Sequence, residues 1–146
     1  MILVDTDHAT LLKYPDSERG RRFINRLSAV PESEVIGEAI VTVEERMRGW
    51  LAVIGKEKAA LRQVAGHREL AKLFEFYQEF EIIAFDEAAA RQFDKLRSMR
   101  LRIGTMDLKI AATALVHNAL LLSANQRDFG RAPGFRVENW LDETTE

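Results

Sequence analysis

Short apolar runs alternate with longer stretches of helical spacing along the whole chain, and this order constrains the fold more than any single residue does. It is the signature of βαβ units around a mostly parallel sheet, with helices covering the faces. Ile2-Leu3-Val4 reads as a strand that starts almost at the first residue. Val35 to Val41 reads as the second strand, Glu81 to Phe85 as the third and Ala119 to Ser123 as the fourth. Phe135 to Glu138 follows the Pro133-Gly134 turn and reads as a short fifth.

Helices fill the intervals. Ser17 can cap a helix to Ala29 that carries Phe23, Ile24 and Leu27 on one face. Thr42-Val-Glu-Glu45 has capping-box spacing, so a long helix is expected to open at Thr42, with Val43, Met47, Trp50, Leu51 and Ile54 at helical spacing. Another is expected from Lys56 to about Phe80, with Gly55 or Gly66 as weak breaks. These two helices exceed what one small sheet needs for cover, so part of the Val43–Phe80 surface is expected to meet another chain. Asp86 can cap a helix with Ala89, Phe93 and Leu96 inward, and Thr105 can cap the next, to about Asn118. Asp107 and Lys109 are the only charged residues between Thr105 and Gln126, so that helix should be deeply buried.

Composition narrows the function. The 146 residues fit one domain, 1–146, long enough to bury a core without disulfide or metal staples. There are 21 Lys+Arg against 23 Asp+Glu, a net charge of −2. That balance excludes a basic coat that binds nucleic acid through bulk charge, so any such contact must use a local patch. The chain has no Cys, which excludes thiolate metal sites, Cys nucleophiles and redox motifs, and suits the reducing cytoplasm, the expected location. No apolar run approaches the ~20 residues that span a bilayer, so no membrane is expected. The N-terminus lacks the basic and long apolar regions of a signal peptide.

The acids stand at the strand ends. Asp5 directly follows the first strand, and Asp7 lies two residues on. Asp128 lies in the loop after the fourth strand, Asp107 in the first turn of the helix before it, and Glu45 in the first turn of the helix after the second strand. In an open α/β sheet, ligands bind outside the carboxyl ends of the strands, where strand order reverses. If the four acids meet there, like charge and partial burial leave two outcomes: they take up protons, or a hard cation stands among them. Mg²⁺ or Mn²⁺ suits an all-oxygen donor set with open water positions. Such an ion supports phosphodiester cleavage without a His or Cys nucleophile. Plainer readings stand beside this one. A capping box accounts for Glu45, the helix dipole for Asp107 and turn chemistry for Asp128. Asp7 reads either as a secondary ligand or as the N-cap of a short Asp7–Lys13 segment.

Four segments carry a family resemblance: Val-Asp5-Thr6-Asp7, Glu45-Arg-Met-Arg-Gly49, Gly104-Thr-Met-Asp107-Leu-Lys-Ile-Ala-Ala112 and Leu-Ser123-Ala-Asn125-Gln-Arg-Asp128-Phe129. In this order the chain resembles the PIN-domain ribonucleases, most closely the VapC-type toxins of bacterial toxin–antitoxin pairs. The resemblance implies an α/β fold with a five-stranded, mostly parallel sheet in the order 3-2-1-4-5, flanked by helices. It implies that Asp5, Glu45, Asp107 and Asp128 are the catalytic acids that hold Mg²⁺ or Mn²⁺, that Thr6 holds Asp5 by hydrogen bonding, and that Ser123 and Asn125 support the site. It implies RNA as substrate, a homodimer, and a small antitoxin protein that covers the active-site groove. Arg46 stands where Leu is commoner in the family, which leaves Glu44 as an alternative to Glu45. Glu45 is preferred because it precedes Gly49 by four residues. Ser123 stands where Thr is frequent and keeps the hydroxyl.

Arg100 and Arg102 precede the Asp107 segment and are candidate RNA-phosphate contacts, against the plainer reading of a solvated face. His8, His67 and His117 read as structural or solvent-facing, and Trp50, Phe74, Phe76 and Tyr77 as core or interface residues. Two other functions compete. One is a non-catalytic interaction module on the same fold. The other is a phosphatase of the haloacid-dehalogenase type, suggested by Asp5-Thr-Asp7 and Leu-Leu-Leu-Ser123. The phosphatase reading needs a downstream Lys, and none follows Ser123.

Overall fold

Ile2–Val4 forms β1 with all three side chains buried, as a strand covered on both faces requires. The other strands are β2 (Ile36–Ala39), β3 (Glu81–Ile83), β4 (Leu120–Leu122) and β5 (Arg136–Glu138). All pair in parallel in one sheet of order β3-β2-β1-β4-β5 in the computed structural model, which describes residues 1–142. Leu3 pairs with Gly37 on one side and Leu121 on the other. Gly37 is required there: a Cβ would stand 2.6 Å from the Glu81 carbonyl oxygen. Strand order reverses between β1 and β4, so the switch point lies where Asp5 leaves β1 and Ser123 leaves β4. The Asp5 N–H donates to the Leu122 carbonyl at 2.9 Å, which carries the pairing up to that point.

Seven helices cover the described sheet: α1 (Thr6–Leu11), α2 (Glu18–Ser28), α3 (Ile40–Lys56), α4 (Ala60–Glu79), α5 (Glu87–Ser98), α6 (Thr105–Val116) and the short α7 (Gln126–Phe129). One core cluster gathers Leu3, Val41, Phe93, Leu96, Ile110 and Leu121 from the sheet, α3, α5 and α6. A second packs Ile2, Val4, Ala9, Phe23 and Leu122, with α1 and α2 as its roof. α6 buries Leu108 and the whole run Ile110–Ala114, as its lack of charge requires. No helix among the described residues is long and apolar enough to cross a membrane.

Several boundaries differ from the sequence reading. β2 ends at Ala39, and α3 begins at Ile40 with Ala39 as its N-cap and no side-chain cap. Thr42 and Glu45 therefore form no capping box. Thr42 lies inside the helix, fully buried, with its hydroxyl oxygen unpartnered among the described residues, and Glu45 falls in the second turn. Burial of Val41 and Val43 decides the start, because helical winding from Ile40 turns both into the core. The break before α4 comes at Glu57–Ala59, where the backbone is extended, and neither Gly55 nor Gly66 breaks a helix. Gly66 is buried inside α4 because Ile54 packs on it. Asp5, not Asp7, caps α1, and Gly104, not Thr105, precedes α6. Asp128 lies in α7 rather than in a loop.

Candidate active site

At the switch point one hydroxyl ties two strand ends together. Ser123, fully buried at the end of β4, donates from Oγ to Asp5 Oδ2 at 2.8 Å. The same Oγ accepts the Asn125 N–H at 3.0 Å. Asp5 Oδ1 accepts the Thr6 N–H at 2.9 Å, so Thr6 holds Asp5 through its backbone and not through its hydroxyl. Asn125 points its side-chain amide between two further acids, 3.2 Å from Asp128 Oδ2 and 3.4 Å from Asp107 Oδ2. The switch point thus connects Asp5, Ser123, Asn125, Asp107 and Asp128 in one chain of contacts.

Electrostatics add Glu45 to the group. Burial pushes the Asp5 carboxyl above its ordinary range, against the hydrogen bonds from Ser123 and Thr6 that pull it down. Burial also raises Asp107, and the charges of Asp5 and Asp128 raise it further. Glu45 is raised by burial and then by Asp107, Asp5 and Glu44. Glu44 pairs with Arg48 at 3.4 Å, whereas Glu45 feels the charges of Asp107 and Asp5. Asp7 behaves oppositely. Burial alone would raise it, but hydrogen bonds from His8 and the Ala124 N–H hold it below the usual range.

The carboxylates feel one another without touching. Among the described residues, no three Asp, Glu or His side chains form a closed cage for an ion. The Asn125 amide stands between Asp107 and Asp128. The donors are oxygen throughout, the chemistry a hard cation takes, and a divalent charge would relieve the raised carboxyls of Asp5, Glu45 and Asp107. Arg131 is the cation at the rim, 3.2 Å from Asp128 Oδ1. Its guanidinium also donates to the Arg102 carbonyl at 2.9 Å and so pins the α5–α6 loop beside Asp128. Arg100 and Arg102 are exposed in that loop and take left-handed backbone conformations, φ 53° and 57°.

Beside the acids lies a buried network that the sequence reading did not join together. Glu38 on β2 is fully buried and pairs with Arg46 of α3 at 2.6 Å. The Tyr77 hydroxyl of α4 donates to Glu38 at 2.5 Å and accepts from Arg46 at 2.9 Å. Arg46 stacks on Phe76 at 4.9 Å. Burial raises Glu38, while Arg46 and Tyr77 pull it back. A Glu inside an apolar strand, eight residues before an Arg on a buried helix face, was the available signal. Arg46 and Phe76 also line a groove of about 1010 Å³ between α1, α3 and α4, which opens beside Glu45 and Thr6. Trp50 lines the same groove, whereas Phe74 is exposed. His8 is fully buried, and His67 and His117 face solvent.

A model of the PIN domain matches residues 2–134, a span that includes every acid described above. Ribonuclease VapC2 of Rickettsia felis is 29% identical over 132 residues, 88% of this chain and 87% of that protein. Ribonuclease VapC4 of Mycobacterium tuberculosis is 31% identical over 105 residues, 69% of this chain and 74% of that protein. Among solved structures, VapBC2 from Rickettsia felis bound to a DNA fragment from its promoter superposes with a TM-score of 0.73 at 25% identity. It covers 96% of this chain and 99% of its own. A toxin–antitoxin complex from Klebsiella pneumoniae matches in fold, with a TM-score of 0.62 at 23% identity over 96% of this chain and 98% of its own. The strand order, the acids at the switch point and these matches agree, and the chain belongs to the PIN-domain family, among its VapC-type members.

Proposed function

We propose that this protein is a divalent-metal-dependent endoribonuclease of the cytoplasm and the toxin of a toxin–antitoxin pair. The observation that carries this reading is the gathering of acids at the switch point of the sheet: Ser123 bonds Asp5, the Asn125 amide stands between Asp107 and Asp128, and the charges of Asp107 and Asp5 raise Glu45. The ribonuclease names of its relatives supply the substrate class, RNA. Asp5, Glu45, Asp107 and Asp128 would hold Mg²⁺ or Mn²⁺. When bound, such an ion supplies positive charge to a phosphate oxygen and acidity to water.

The chain's own residues prepare that chemistry. Ser123 and Thr6 orient the Asp5 carboxylate and favour its ionised form. Asn125 fixes the facing oxygens of Asp107 and Asp128. Arg131 balances Asp128 at the rim, and Arg100 and Arg102 stand beside it to take RNA phosphates. The apolar groove between α1, α3 and α4 suits a protein partner, with Leu51, Leu61 and Val64 exposed on the helices beside it. The α3–α4 pair with that groove is the candidate surface for a small antitoxin or for a second copy of the chain, and the occurrence of a similar fold in VapBC2 supports an antitoxin partner.

Cleavage of single-stranded RNA by purified protein, freed of any co-purifying antitoxin, tests the reading. Activity should require Mg²⁺ or Mn²⁺, vanish with EDTA and fall at least a hundredfold in Asp5→Asn. Failure to cleave any RNA with either metal would favour a non-catalytic module on this fold. Activity unchanged in Asp5→Asn would place the chemistry elsewhere.

A further inference from the structure

Asp7 and His8 are polar groups for which the proposed chemistry has no task, yet hydrogen bonds hold both in place. Asp7 Oδ1 lies 2.6 Å from His8 Nδ1, and Asp7 Oδ2 accepts the Ala124 N–H at 2.9 Å. His8 is fully buried, and its Nε2 accepts the Trp140 N–H at 3.0 Å. A backbone amide can only donate, so Nε2 is bare and Nδ1 carries the proton that it gives to Asp7. Phe23 holds the imidazole edge-on at 5.4 Å and meets Trp140 at 6.5 Å, which fixes the ring's orientation.

Ala124 is the link between this pair and the acids. It lies between Ser123, which bonds Asp5, and Asn125, which bonds Asp107 and Asp128. A shift at Ala124 therefore displaces the two side chains that align three carboxylates. Each Asp7 oxygen already accepts a hydrogen bond within this network.

We propose that Asp7 and His8 are positioning residues: a buried brace, anchored on Trp140, that sets the Ser123–Asn125 loop and through it the spacing of the acids, without ligating metal itself. This rests on the metal-site reading above. Partners that orient metal ligands typically matter about 10–100-fold in metal affinity or activity, and an effect in that range is expected here.

The test uses the full chain and Mn²⁺ as the probe. Asp7→Ala should stay folded, weaken Mn²⁺ binding in calorimetry at least tenfold, and lower kcat on an RNA oligonucleotide with KM changed less than threefold. Asp7→Asn, nearly isosteric, guards against misfolding. Its one oxygen cannot serve both donors, so a similar loss is expected. His8→Asn keeps a donor where Nδ1 stands but loses the Trp140 acceptor, so Mn²⁺ affinity should fall, by less than in Asp7→Ala. Loss of all Mn²⁺ binding in Asp7→Ala, equal to that in Asp5→Asn, would make Asp7 a ligand and overturn the proposal. Unchanged affinity and kcat in both Asp7 variants would overturn it too. Hydrogen exchange at the Ala124 and Asn125 amides gives a readout free of metal and RNA. It should speed up at least tenfold in Asp7→Ala even if the wild type neither binds Mn²⁺ nor cleaves RNA. Unchanged exchange would refute the brace whatever the protein's activity.

Discussion

Replacing Arg46 by leucine should be among the most damaging single changes in the molecule, although Arg46 is not proposed to touch metal or RNA. The guanidinium neutralises Glu38, which is fully buried under α3, and donates to the Tyr77 hydroxyl, which in turn donates to Glu38. Arg46→Leu leaves that carboxylate with one hydroxyl as partner. Removing one member of a buried ion pair costs about 3–5 kcal/mol, because the remaining charge stays desolvated. For a chain of this size about 3 °C is lost per kcal/mol, so the melting temperature should fall by roughly 10–15 °C. Glu38→Leu alone strands the arginine and should cost a similar amount. The double variant removes both charges together, and apolar replacements of buried pairs are often neutral or stabilising. Its stability should return to within about 2 kcal/mol of wild type. The residual loss would reflect the stacking of Arg46 on Phe76 and an unpaired Tyr77 hydroxyl. Urea unfolding followed by circular dichroism on the four proteins closes the cycle. Additive losses in the double variant, or a single-variant cost under about 1 kcal/mol, would refute the claim that this pair is a desolvated unit.

Three further outcomes follow from the same physics. Asp107→Asn should abolish cleavage yet raise the melting temperature of the metal-free protein, because it removes a half-buried charge that Asp5 and Asp128 oppose; a lowered melting temperature would contradict this. Acidification should reduce cleavage from a pH above the ordinary carboxylate range, since Asp5, Glu45 and Asp107 all hold protons more tightly than free acids. The stability sign is opposite. The folded state binds these protons more tightly than the unfolded chain, so this contribution stabilises the fold as pH falls through the raised values and weakens as pH rises past them. Urea midpoints of wild type and Asp107→Asn across that range should converge at low pH. Ser123→Ala removes the donor to Asp5 and the acceptor for the Asn125 N–H, and should cost about 2–3 kcal/mol of stability along with most activity, measured by thermal melts and RNA cleavage.

Much of this was legible before any coordinates. Ile2-Leu3-Val4 and Leu120-Leu121-Leu122 declare themselves as central strands because both faces must be apolar, and an acid or hydroxyl directly after each marks the switch-point edge. The boundary between β2 and α3 was not legible. Val35 to Val41 has strand composition, but Val41 and Val43 reach the core only when the chain winds into a helix at Ile40. A capping-box pattern at Thr42 is a local signal, and tertiary burial overrode it. Asp7 divided between two local roles, and its actual partners, His8 and Ala124, include one 117 residues away, which no spacing rule reaches. The Glu38–Arg46–Tyr77 network escaped for the same reason. A buried charge is visible only once its partner is known, and Tyr77 stands on a different helix. No sequence signal marks Arg131, because its partner, the Arg102 carbonyl, lies 29 residues away.

The central claim is that four carboxylates from separate segments act together as one cation site. Titration of Mn²⁺ into the full chain, followed by calorimetry and by the electron paramagnetic resonance signal of free ion, tests it most directly. Saturable binding is expected in the wild type, lost or weakened at least tenfold in each of Asp5→Asn, Glu45→Gln and Asp107→Asn, with every variant still folded. Binding that survives all three substitutions, or a wild type that takes up no Mn²⁺ at millimolar concentration, would contradict it.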